Sequence, residues 1–280
     1  MRLTIVDVFA EERYAGNQLA VVEDAGALTT KAMQDIAREM NFSETTFVTA
    51  RTDDSAEVRI FTPAQELPFA GHPTIGTAWT LGRDREEFAL ELKAGRVVVR
   101  FDRDSGIAWM SPPPVILGDS IPGETTVKMV GLELADLNDE LPVQWVECGP
   151  RFVFIGLKNL AALRRARLDP DLHAQLVAEG DGVAAVFLFA PEAYSADADY
   201  SARLFFNANG IREDPATGSA NSGLAAYLRQ HLGAPIDVIV EQGFEIQRPS
   251  RLYLKADADI AVGGKVQLVL VGDLFTADGA

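Results

Sequence analysis

Residues 203–227 read RLFFNANGIREDPATGSANSGLAAY, and the fold turns on how this stretch is understood. A short apolar strand, Leu204 to Phe206, runs into a polar loop from Asn207 to Pro215. Small residues follow, and Leu224, Ala225, Tyr227 and Leu228 mark the apolar face of a helix. A helix opening on Thr217-Gly218-Ser219 after such a loop can hold an anion. Its first backbone N–H groups have no intrahelical partner, and its dipole favours negative charge there. Gly218 would let a ligand approach the backbone closely. The alternative is a capped helix packed tightly on a neighbour, and this segment alone leaves both readings open.

A second stretch answers the first. Residues 59–81, RIFTPAQELPFAGHPTIGTAWTL, match Arg59-Ile60-Phe61 to Arg203-Leu204-Phe205 and Gly71-His72-Pro73 to Gly218-Ser219-Ala220. Gly76 and Ala78 then match Gly223 and Ala225. Arg59 and Arg203 lie 144 residues apart and Gly71 and Gly218 147, so the second copy carries the longer loop. Pro73 suits a first helical turn, where a missing N–H costs nothing. Two strand–loop–helix units half a chain apart suggest an internal duplication; the competing account is chance likeness between two Gly-rich turns.

The remaining pattern is strand-rich. Strands are expected at Arg2 to Val8, Leu19 to Val22, Thr45 to Ala50, Glu57 to Phe61, Phe88 to Leu92 and Val97 to Phe101. A helix spans Leu28 to Met40 with Thr29 or Thr30 as N-cap, closed by Asn41 to Glu44. Ser111-Pro112-Pro113-Pro114 reads as a linker. Beyond it the order repeats: strands at Val143 to Val146 and Phe152 to Gly156, a helix near Leu172 to Ala178 and a strand at Val183 to Phe189. Strands at Ile236 to Val240, Leu252 to Ala256 and Val266 to Val271 end the chain, and each half carries one central helix.

Composition narrows the function. At 280 residues two domains are expected, and 48% hydrophobic with 24% charged residues is ordinary for a soluble globular protein. A net charge of −16 argues against nucleic acid or an anionic membrane as partner. The single cysteine, Cys148, excludes an intrachain disulfide and chemistry needing two thiols. No signal-peptide run and no stretch of about 18 apolar residues is present, so a cytoplasmic protein is expected.

Three side chains are candidates for chemistry. Glu44 stands between a helix end and the apolar run TTFV, where desolvation raises a carboxyl pKa toward general acid–base use; a partly exposed strand-start Glu is the plain alternative. Asp214 precedes Pro215 and the helix opening, either as a cap or as a site residue. His72 lies at a Gly-His-Pro turn entering a helix and can donate a hydrogen bond or carry a proton. No second His sits at metal-ligand spacing from it, so no metal is expected. His173 and His231 read as helix-surface residues. G-x-G-x-x-G after a strand, G-x-x-x-x-G-K-[ST] and G-x-S-x-G are all absent. What is left suits proton transfer on a small acid without a cofactor.

Five segments taken together resemble the PhzF-like, phenazine-biosynthesis family: DVFAEERYAGNQLAVV at 7–22, NFSETTFV at 41–48, RIFTPAQELPFAGHPTIGTAW at 59–79, EDPATGSA at 213–220 and GGKVQLVLVG at 263–272. They keep the right order over nearly the whole chain. The resemblance implies an α+β fold of the diaminopimelate epimerase type, shared with proline racemase. Two pseudo-symmetric domains each wrap a sheet or barrel around a central helix, with the active site in the cleft between them. Residues 1–112 would form the first domain, with 262–280 returning to it, and 113–261 the second.

The resemblance also implies that Glu44 is the proton-shuttling glutamate, with His72 and Asp214 as the other catalytic positions. Asn17, Gly71, Thr217, Gly218 and Ser219 would bind substrate. The related epimerases use two cysteines, which this chain lacks. The member that names the family isomerises trans-2,3-dihydro-3-hydroxyanthranilate. One departure is visible: Gln18 stands where G-N-P is usual. The expectation is a cofactor-independent isomerase, without a metal, acting on a small carboxylate-bearing molecule as a homodimer. An amino-acid racemase or epimerase, or a silent PhzF-like binding protein, are the alternatives.

Overall fold

The computed structural model describes residues 1–179, 185–207 and 211–276. The chain divides into two compact units, Met1–Ser111 with Val262–Ala280, and Pro112–Ala261.

In the first unit, strands β1 (Arg2–Val8), β2 (Asn17–Val22), β3 (Glu44–Arg51), β4 (Ser55–Phe61), the short β5 (Glu66–Leu67), β6 (Glu87–Leu92), β7 (Gly95–Phe101) and β8 (Ala108–Met110) surround a helix, α2 (Gly71–Gly82). An earlier helix, α1 (Thr30–Met40), packs on the sheet through Met33 and Ala37, against Leu3, Phe47 and Phe61. Thr29 caps α1 by accepting from the Ala32 N–H at 3.2 Å, and Asn41 closes it in the left-handed region.

The second unit contains β9 (Ile116–Ser120), α3 (Gly123–Met129), β10 (Gln144–Glu147), β11 (Arg151–Gly156), α4 (Leu160–Arg165), α5 (Pro170–Glu179), β12 (Ala185–Ala190), β13 (Tyr200–Asn207), β14 (Ile211–Asp214), α6 (Gly218–Leu232), β15 (Ile236–Gln242) and β16 (Ser250–Ala256). The chain then returns through β17 (Ile260–Gly264) and β18 (Val266–Asp273). From Val262, β17 pairs with β8; after Lys265, β18 runs along β1, so the strand order of the first unit closes on itself. Closure removes the open edge that would otherwise invite pairing with another chain.

Both units follow one pairing rule. From β18 through β1, β2, β3, β4, β6 and β7 the senses are antiparallel, antiparallel, parallel, antiparallel, parallel and antiparallel. From β9 through β10, β11, β12, β13, β15 and β16 they are the same. The central helices explain the small residues in the sequence. A Cβ on Gly76 would lie 2.6 Å from a Leu19 methyl and 2.7 Å from a Val8 methyl, and one on Gly223 2.9 Å from Val146 and 3.0 Å from Phe154. Both helices therefore need glycine where they cross an antiparallel strand pair of their own sheet, β1 and β2 in the first unit and β10 and β11 in the second.

The hairpins ahead of the helices are clamped alike. Arg59 on β4 bonds both oxygens of Glu66 on β5 at 2.8 Å each, and Arg203 on β13 bonds Glu213 on β14 at 2.9 and 2.7 Å. This corrects the expected polar loop from Asn207 to Pro215, because Ile211–Asp214 is a strand paired with β13. The sequence IRED carries a single apolar residue, so the ion pair and the ladder, not apolar alternation, hold it extended. Residues 208–210 of that expected loop, and 183–184 of the expected strand at Val183 to Phe189, lie outside the described residues.

Candidate active site

Glu44 opens β3, immediately after the turn that ends α1, and the parallel register sets it opposite Leu19 of β2. His72 is the second residue of α2, whose N-cap, Ala70, offers no side chain to the first turn. The two meet: His72 Nε2 lies 3.5 Å from Glu44 Oε2, with the His72 side chain 4% and the Glu44 side chain 16% exposed. Burial pushes the imidazole down to about 3 from its ordinary 6.5, opposed by a backbone hydrogen bond with Gln18. An interaction that favours the protonated ring is that of a carbonyl accepting from a ring N–H. His72 is therefore neutral near pH 7, with one ring nitrogen tied to Gln18 and Nε2, which has no hydrogen-bond partner, turned to Glu44. Because the tie runs through a carbonyl, the Gln18 departure leaves it intact; a proline there would keep that oxygen.

Asn17 opens β2 and is 1% exposed, one residue from the carbonyl that holds His72. Gly71 begins α2 as Gly218 begins α6, and neither helix has a side-chain cap at its N-cap. Ser219 occupies in α6 the position that His72 has in α2 and is also buried.

In the second unit Asp214 ends β14 and is 8% exposed. Its Oδ2 accepts from the Thr217 hydroxyl at 2.5 Å. The Thr217 N–H in turn donates to Gln242 Oε1 at 3.2 Å. Both Thr217 donors are thus directed into the protein, which makes it a brace for Asp214 more than a donor to a ligand. Sequence reading missed Gln242 and Asn221, both fully buried beside Thr217. A buried glutamine ending an apolar strand, in VIVEQ, was the available signal.

The remaining polar candidates lie elsewhere. Cys148 is buried, and burial pushes its thiol up to about 12, so it stays protonated. His173, expected on a helix surface, is 2% exposed, because α5 turns that position inward; His231 is half-buried with Nε2 2.9 Å from Gln144 Oε1. Among the described residues no group of three or more His, Cys, Asp or Glu is placed to hold a metal ion.

A family model described as phenazine biosynthesis-like protein, PhzC-PhzF, matches residues 6–272. The chain belongs to this family. It is 39% identical over 286 residues to an uncharacterised isomerase of Pasteurella multocida, spanning 98% of this chain and 94% of the relative. It is 40% identical over 265 residues to trans-2,3-dihydro-3-hydroxyanthranilate isomerase of Pseudomonas aeruginosa, spanning 91% and 90%. A crystal structure of a PhzF-family protein from Bacillus anthracis superposes with a TM-score of 0.87 at 26% identity over 99% of both chains. The fold extends to a probable proline racemase from Agrobacterium radiobacter, with a TM-score of 0.61 at 14% identity over 98% and 92%. The chain is a PhzF-family isomerase with the epimerase-like fold.

Proposed function

We propose that this PhzF-family isomerase moves a proton between carbons of a small, carboxylate-bearing substrate by acid–base catalysis through Glu44, with no cofactor. The observation that carries this reading is the Glu44–His72 pair: a carboxyl oxygen 3.5 Å from a buried, neutral imidazole nitrogen. Glu44 takes a proton from a carbon beside an unsaturated or carboxyl group, the bonding electrons move into that conjugated system, and the proton returns to a different carbon. His72 offers Nε2 as a hydrogen-bond acceptor to the protonated Glu44 and steadies it between the two transfers. Asp214 orients an amine or hydroxyl of the substrate. Asn17, Gly71, Gly218 and Ser219 are the expected substrate contacts, an uncapped helix opening being suited to a carboxylate, while Thr217 acts through Asp214.

The pseudo-symmetry favours one base over two. Glu44 opens β3 opposite Leu19, and the matching residue, which opens β12 opposite Phe152, is Ala185. Ser219 stands where His72 stands, so the equivalent positions of the second unit carry no second base for stereoinversion. The substrate named for the Pseudomonas aeruginosa relative, trans-2,3-dihydro-3-hydroxyanthranilate, is the first compound to assay. With any substrate turned over, Glu44→Gln keeps the shape and removes the base, and turnover should fall by about 10²–10⁴. Full turnover by E44Q would refute the mechanism. A homodimer is the assembly we expect, checked by sedimentation velocity.

A further inference from the structure

The network around Asp214 has a direction that follows from the chemistry of its members. The Thr217 backbone N–H can only donate, and it meets Gln242 Oε1 at 3.2 Å, which fixes the orientation of that amide. Nε2 of Gln242 consequently faces the Asp214 carbonyl at 2.9 Å and Thr217 Oγ1 at 3.1 Å. An amide nitrogen donates, so Thr217 Oγ1 accepts there, and its single proton goes to Asp214 Oδ2 at 2.5 Å. Asn221 completes the lock, its Nδ2 donating to Gln242 Oε1 and to the Thr217 carbonyl at 3.0 Å each. Gln242 thereby uses both lone-pair sites of its oxygen and both protons of its nitrogen, and a buried amide so saturated has one orientation.

The fold does not require this network. The first unit builds the same helix opening with Leu67 at the position of Asp214, Ala70 at that of Thr217, Thr74 at that of Asn221 and Leu92 at that of Gln242. There only one of the bonds survives, from the Thr74 hydroxyl to the Ala70 carbonyl at 2.8 Å. A buried polar network present in one copy and absent from its structural twin calls for a reason beyond folding.

We propose that Gln242, acting through Thr217, is a positioning residue for Asp214. The chain from Gln242 Nε2 to the Thr217 hydroxyl to Asp214 Oδ2 fixes the orientation in which the Asp214 side chain meets a substrate amine or hydroxyl. This rests on the reading of Asp214 as a substrate-facing residue. Four charged groups on neighbouring elements are held by partners of their own. Arg203 of β13 is bound to Glu213 of β14, Glu241 of β15 accepts from the Tyr194 and Ser195 N–H groups at 2.7 and 2.9 Å, and Glu245 accepts from the Tyr194 hydroxyl.

The test is the titration of the Asp214 carboxyl carbon by NMR, assigned by its loss in D214N, beside the pH profile of kcat/KM on trans-2,3-dihydro-3-hydroxyanthranilate. Thr217→Val removes the hydroxyl at nearly constant volume and should raise the Asp214 pKa by about one pH unit, moving the acid limb of the profile equally. Thr217→Ser keeps the hydroxyl and should restore both. Gln242→Leu frees the hydroxyl proton to turn and should give a smaller rise. An Asp214 titration unmoved in T217V, or not restored in T217S, overturns the proposal. If Asp214 moves as stated while the wild-type protein leaves that compound unchanged, the positioning role stands and the choice of substrate falls.

Discussion

At the foot of its central helix the first unit sets a neutral imidazole, His72, against Glu44. The second sets a hydroxyl, Ser219, at the same helical position and a carboxylate, Asp214, four residues before the helix begins. The scaffolds beneath are alike: the same order and sense of pairing, an Arg–Glu clamp on each hairpin, and a glycine in each helix where it meets the equivalent antiparallel strand pair. The chemistry diverges at the positions the scaffold does not use. The shared frame therefore leaves each unit its own polar residues, a carboxyl beside a buried imidazole in one and a carboxyl braced by a threonine hydroxyl in the other.

That comparison can be broken at several points. Removing one partner of a buried ion pair strands the other, so Arg203→Ala, which leaves Glu213 unpaired at a site where both side chains are under 10% exposed, should cost about 3–5 kcal/mol in urea unfolding. The equivalent Arg59→Ala, at a pair 30% and 24% exposed, should cost about 1 kcal/mol. Equal losses would mean that the clamps are not equivalent parts in different surroundings. Gly76→Ala drives a Cβ into Leu19 and Val8 and should cost about 1–3 kcal/mol; Gly223→Ala, with slightly more room, should cost less.

A smaller effect concerns acid. His72 titrates near 6.5 when unfolded and near 3 when buried. Between these values the unfolded chain binds a proton that the folded one refuses. The stability it leaves intact above about pH 6.5 is therefore lost as pH falls toward 3, at no more than about 1.4 kcal/mol per pH unit. His72→Asn should flatten the unfolding free energy over that window by up to one proton, and an unchanged slope would place the imidazole in solvent.

Much of this was legible in the sequence, for physical reasons. The offset repeat Arg-Ile-Phe and Arg-Leu-Phe followed by Gly-His-Pro and Gly-Ser-Ala exposed the duplication because close helix–sheet packing demands small residues at fixed places. Thr29, Asn41 and the strand cores were readable from capping and apolar pattern. The strand Ile211–Asp214 was not, because an ion pair holds it where alternation is missing. Nor was the tie between His72 and Gln18, made through a backbone atom that any residue possesses. Gln242 was hidden by distance along the chain, 25 residues from the Thr217 it orients.

The most direct test of the central claim uses trans-2,3-dihydro-3-hydroxyanthranilate deuterated at the carbon that loses its hydrogen, followed by NMR with wild-type protein and E44Q. Our account predicts that wild type removes the deuteron and delivers it, or a proton that has replaced it by exchange with water on Glu44, to a different carbon, with no inversion at the first, and that E44Q leaves the label in place. Loss of the label at the wild-type rate in E44Q, or a product inverted at the original carbon, would contradict it.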